Sequence, residues 1–190
     1  MEKNGYKDIF GVEIIRHPAL VFKAAIGSVW EWEHYRKGKL IDFYRDTNLM
    51  VAEGLNYILD VALSGGTAIT AFYIALFESD TTPADGDTYA SPSFTETTAY
   101  DETTRQAWTE AGVSSKVITN SASKATFTFN ASKTIYGGAL VGGGTGADTK
   151  DDQAGGGKLI CSSQFSTGSK AVVSTDVLKV TVTITASNVA

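Results

Sequence analysis

Few side chains in this 190-residue chain could do covalent chemistry: one cysteine, Cys161, and two histidines, His17 and His34. A lone cysteine closes no intrachain disulfide and has no second thiol with which to build a zinc site. As a nucleophile Cys161 would need a neighbouring base, and both histidines lie in the N-terminal quarter. Cys161 therefore reads as a small buried apolar residue. The run Gly155-Gly156-Gly157-Lys158 has the look of a phosphate-binding loop, but Leu159 stands where Ser or Thr would hold the metal, and the run joins strands rather than opening a helix.

Carboxylates cluster at Asp80, Asp85 and Asp87 and again at Asp148, Asp151 and Asp152, spacings that could surround Ca²⁺ only if each loop folds back on itself. Neither has the EF-hand pattern, and solvated loop carboxylates are the plainer reading. Glu96, Asp101 and Glu102 could be imagined as a glycosidase's paired acids, but any acidic surface offers such triples. Trp30, Trp32, Tyr35, Phe43 and Tyr44 could stack sugars or bases, yet aromatics on strands more often serve a core or a protein interface. We therefore expect no catalytic residue, no metal and no cofactor.

What remains to explain is which elements carry these residues. The 43% hydrophobic and 19% charged fractions permit an ordinary core, and the length suits one body plus an appendage. Residues 1–50 hold 8 basic and 7 acidic side chains, and residues 51–190 hold 8 basic and 14 acidic. With a net charge of −5 the chain lacks the clustered cations that coat nucleic acid. The N-terminal residues lack the apolar core of a secretory signal, and no apolar stretch approaches the roughly 20 residues of a membrane-spanning helix.

Residues 1–48 read as an extended arm ending in a hairpin. Ile14, Ile15, Leu20, Val21 and Phe22 lie among charges and Pro18 without a sustained period, so an extended segment here cannot bury them on itself. Val29–Arg36 and Lys39–Arg45 flank Lys37-Gly38, a tight-turn pair. Alternation puts Trp30, Trp32 and His34 on one face of this hairpin, with Glu31, Glu33 and Tyr35 on the other. A two-stranded hairpin is marginal alone, so it must dock in cis or on a neighbour. The candidate partner interface is accordingly the five arm residues above together with Trp30, Trp32, Tyr35, Phe43 and Tyr44.

Residues 49–190 read as the body. Val51, Leu55, Ile58, Leu59 and Ala62 mark one helical face over 51–63, which Ser64, Gly65 and Gly66 end. Strands follow over 71–77, 105–109, 116–119, 125–130, 134–141, 158–165, 171–173 and 177–185, the clearest being Ala125–Phe129 and Leu178–Thr185 with strict alternation. The fold class is mainly β: an antiparallel, jelly-roll-like β-sandwich with one short helix and an extended N-terminal arm. Loops over 78–100 and 142–157 are longer than a compact domain usually needs, and the second is flexible and exposed by composition.

Trp32-Glu33-His34-Tyr35-Arg36-Lys37-Gly38-Lys39-Leu40-Ile41 and the run from Asn48 to Asp60 resemble a pattern common in tailed-bacteriophage structural proteins. Phe72–Phe77, Asp87–Ala90, Phe94–Glu96, Tyr100 and Arg105–Trp108 are similar to the same head-associated group, so the likeness spans residues 29–140. The resemblance implies a capsid decoration, or cement, protein: a non-enzymatic virion component on the outer capsid surface, partnered by the major capsid protein. It also implies a homo-oligomer, with a trimer favoured, and an arm reaching across capsomer boundaries. Two other readings stay open: a head fibre, tail fibre or receptor-binding module, and a carbohydrate-binding or carbohydrate-active sandwich.

Overall fold

The computed structural model describes residues 6–7, 13–14 and 23–189. In chain order the strands are β1 (Tyr6–Lys7), β2 (Glu13–Ile14), β3 (Lys23–Arg36), β4 (Lys39–Thr47) and β5 (Leu49–Met50). Helix α1 (Ala52–Leu59) continues as a π-helical turn, Asp60–Ser64, before β6 (Phe72–Phe77). There follow β7 (Gln106–Ala107), β8 (Val117–Thr119), β9 (Ala125–Thr128), β10 (Lys133–Ile135) and β11 (Gly137–Gly142). Then come β12 (Lys158–Gln164), β13 (Lys170–Val172) and β14 (Val177–Val189). The fold is mainly β, with antiparallel sheets and one short helix, as the sequence predicts.

Lys37 (φ 50°) and Gly38 (φ 74°) both take the left-handed conformation that a type I′ hairpin turn requires, and they join β3 to β4. That hairpin is built into a sheet rather than hung from it. β3 pairs with β14 along thirteen residues, from Tyr35 opposite Val177 to Lys23 opposite Val189, giving the order β4-β3-β14-β8, with β9 also on β14. β3 and β4, expected as part of the arm, thus share a sheet with β8, β9 and β14 of the expected body, and residue 48 marks the passage from this sheet to the other. A second sheet runs β5-β12-β11-β6-β7.

The inward faces of the two sheets share one core. Trp30, Trp32, Val180 and Val182 from the first meet Ile74, Leu76, Leu140 and Cys161 from the second. Gly138 on β11 makes room for the indoles, since a Cβ there would lie 2.7 Å from Trp32 Cη2 and 3.1 Å from Trp30 Cζ3. Helix α1 docks on β12 through Gly54, where a Cβ would fall on the Ile160 carbonyl. The glycine that weakens this helix by propensity is thus the one that lets it approach the strand.

β8 and β9 leave a gap along β14 that a side chain fills. The Val182 N–H donates to Asn120 Oδ1 at 2.7 Å, and Asn120 Nδ2 donates to the Val180 carbonyl at 3.1 Å. Trp108 Nε1 closes the row on the Val182 carbonyl at 3.1 Å. Among the described residues no helix is long and apolar enough to cross a membrane.

Candidate functional site

Alternation along β3 and β4 decides which hairpin side chains are available to another molecule. Trp30 and Trp32 are wholly buried, and Tyr44, opposite Trp32, is 7% exposed. Trp32 stacks on Trp30 at 5.3 Å and meets the Phe165 ring edge-on at 4.8 Å, and Tyr44 contacts the same ring. These three aromatics belong to the protein's own core, which corrects their expected place at a partner interface. The physical reason is that β14 and the second sheet cover in cis the face that had seemed to lack cover. Ile15, Leu20, Val21 and Phe22 lie outside the described residues, and Ile14 is placed in β2 by its backbone alone.

The outward face keeps the other two. Phe43 is 52% exposed opposite Glu33, and Tyr35 is half-buried with its hydroxyl donating to Glu33 Oε2 at 2.9 Å. Leu40 and Ile41, 53% and 49% exposed, extend the apolar surface to the hairpin end. Neither is among the interface residues expected from the sequence, although both lie on the same strand as Phe43. Lys37 and Lys39 lie at its turn end, while Arg36 is bound to Asp176, Arg45 pairs with Glu31, and Glu33 stands opposite Phe43. The result is an apolar patch bordered by charges of both signs, most of them paired within the chain.

Beside it, an open groove of about 400 Å³ runs over the sheet between Glu33, Tyr35, Lys124 and Lys179. Lys124 pairs with Glu33, and Lys179 lies 5.1 Å from the Tyr35 ring centre. The first of these contacts holds the Glu33 carboxyl below its usual range. Adjacent β4 is an edge strand among the described residues, pairing only with β3. Lys39, Arg45 and the register shift between His34 and Tyr35 are features that discourage a further strand from adding there. Such a surface is suited to face-on burial against a partner, with aromatic and aliphatic groups central and charged groups at the rim.

Two buried ionic clusters have their groups paired within the chain, whereas the buried Tyr44 and Tyr100 hydroxyls have no hydrogen-bond partner. Asp176, wholly buried, receives Arg36 Nε on Oδ1 at 2.9 Å and Arg36 Nη2 on Oδ2 at 2.7 Å. His34 Nε2 and the Val173 N–H also reach Oδ2, at 2.9 and 3.0 Å. Burial alone would raise this carboxyl; Arg36, the Val173 amide and His34 outweigh it and hold it well below the ordinary aspartate range. The cluster fastens the start of β14 to the end of β3 and so fixes the base of the hairpin tip.

Arg105 clamps the two long loops. Its Nε and Nη2 donate to the buried Glu96 carboxylate, Nη1 to the Tyr89 hydroxyl and the Ala147 carbonyl, and Nη2 also to the Asp152 carbonyl at 3.0 Å. All five guanidinium protons have partners, and the space beside the cluster is about 20 Å³, room for one water. The loop over 142–157, expected to be flexible and exposed, is instead folded onto the body: Ala147 is buried, and Tyr89 donates to Asp152 Oδ2 at 2.7 Å. Gly157 serves this packing, since a Cβ there would meet the Tyr89 ring.

The acid triples weighed and set aside in the sequence do not assemble among the described residues. Glu96 is taken by Arg105, and Glu102 accepts the Thr128 N–H at 3.0 Å. Asp87 accepts from the Ala84 and Ser93 backbones and the Ser93 hydroxyl, and among the described residues no three His, Cys, Asp or Glu side chains form a metal-holding group. Cys161 is wholly buried, with burial pushing its thiol up to about 12, as its reading as an apolar core residue required. Compared with known proteins, the chain matches no family model and no curated protein.

Proposed function

We propose that this chain is a structural virion protein that binds the outer surface of an assembled bacteriophage capsid and stabilises it, with the major capsid protein as its partner. The observation that carries the reading is the exposed Leu40, Ile41 and Phe43 patch at the hairpin end. Large apolar side chains gathered on one exposed strand favour cover from another molecule. The resemblance of residues 29–140 to head-associated phage proteins supplies the kind of molecule. No residue is asked to do chemistry, and the occupied state of Glu96, Arg105 and Asp176 fits a scaffold that must keep its shape under load.

The mechanism is thermodynamic. A ligand that binds only the assembled lattice stabilises that lattice by mass action, and identical copies held at fixed spacings add avidity. Desolvation of Phe43 and its neighbours holds the complex. Mixing the purified chain with undecorated capsids and measuring their disruption temperature tests the proposal: binding should raise it, and a chain that binds no capsid would overturn it.

A further inference from the structure

Two strands run past the sheet that holds them. β3 begins at Lys23, but its pairing with β4 starts only at Val29; β14 reaches Val189, but its pairing with β8 ends at Thr185. Over this length β3 and β14 form a two-stranded ribbon, Lys23 opposite Val189 and Gly27 opposite Thr185. The body closes the ribbon's base on both sides. Asn48 Oδ1 accepts the Ser28 N–H at 2.8 Å, and the Ala186 N–H donates to the Lys116 carbonyl at 2.9 Å.

Beyond those two contacts, and among the described residues, both outer edges are open: Lys23–Gly27 on β3 and Ser187–Val189 on β14. Ala25, Gly27 and Thr185–Asn188 are exposed. No charged residue occurs from Ala24 to Trp30 or from Val180 to Val189. A ribbon of this kind is marginal in water; its one charge, Lys23, stands at its open end, and it has no register shift like the one that guards the edge of β4.

We propose that the ribbon is a self-assembly element, in which the β3 edge of one copy pairs with the β14 edge of the next and closes a ring. The occupant is a second copy because the two open edges are unlike. Two-fold pairing through like edges would seal one and leave the other bare, whereas head-to-tail pairing seals both with a single repeated contact. The β14 edge carries no charge and the β3 edge only Lys23, so the two meet without like-charge repulsion. Two ribbons give only four strands, too few to close around their own side chains, so the ring holds three or more copies. This inference does not rest on the capsid reading: it concerns a different edge and applies to the chain free in solution.

Light scattering on the size-separated full chain, paired with hydrogen exchange, tests it. The expected mass is at least three times 20.2 kDa. On dilution to monomer, the amides of Ala24–Gly27 and Ser187–Val189 should exchange faster by on the order of tenfold or more. Ala25→Lys or, on the other strand, Ser187→Lys should return the protein to 20.2 kDa while it still unfolds in one cooperative transition, at a melting temperature that no longer depends on concentration. Should one variant fold poorly, the other reads the same contact from its opposite side. A monomer at every concentration overturns the proposal, whether its ribbon amides exchange fast or are protected by residues 1–22 of the same chain. A dimer protected only on β3 overturns it as well.

Discussion

Gly138 and Trp32 meet at the contact that lets the two sheets close: the indole reaches so near the β11 backbone that a methyl group on Gly138 would stand 2.7 Å from Trp32 Cη2 and 3.1 Å from the Ala75 carbonyl oxygen. The ring cannot retreat, because Trp30 stacks on one side of it and Phe165 meets it edge-on. Gly138→Ala is therefore expected to destabilise the fold by about 1–3 kcal/mol through overpacking, read as a lowered midpoint in chemical denaturation. A wild-type midpoint would mean that the sheets can separate without cost.

Asp176 makes stability depend on acid. Its folded carboxyl titrates well below the unfolded one, so its contribution is fully present above the ordinary aspartate value of about 3.9 and is lost as pH falls from there toward the folded value. Asp176→Asn leaves Arg36 and His34 without their anion and should cost about 3 kcal/mol at neutral pH, with a smaller deficit in acid. Unfolding curves from neutral pH downward check this; a deficit independent of pH would remove the charge from the explanation.

Arg105→Met strands the Glu96 carboxylate inside the protein. A loss of about 3–5 kcal/mol is expected. The damage should be local, with protease cutting within residues 142–157 that the parent protein resists. If those residues are no easier to cut in the variant, the clamp is not what holds the loop down.

Cys161 should be silent to thiol reagents in the folded protein and react as one thiol per chain once denatured, because burial both covers it and keeps it protonated. Modification of the native protein at a rate near that of the denatured chain would contradict its place between the sheets.

Much of this fold was legible in the sequence. Lys37-Gly38 marked the hairpin, alternation marked Ala125–Phe129 and Leu178–Thr185, and the helical face of Val51 to Ala62 gave α1 and its π-helical end. Pairing partners across long separations were not legible. Nothing local in Trp30 or Trp32 says that β14, some 150 residues later, will lie beside them, so two core indoles read as interface. The glycine-rich loop misled for a related reason: its composition speaks for flexibility, while its order comes from Arg105 and Tyr89, distant in the chain. Glu33 and Tyr35 fell on the face opposite Trp30 and Trp32, as alternation says, because facing depends only on their own strand.

Co-sedimentation of the purified chain with undecorated capsids, comparing Phe43→Asp and Ile41→Asp with the parent, asks whether the hairpin face docks on an assembled shell as proposed. Both residues are about half exposed, so each variant should fold within about 0.5 kcal/mol of the parent. The parent is expected to pellet with capsids, and the two variants to remain in the supernatant. Variants that bind as well as the parent would contradict a docking role for this face.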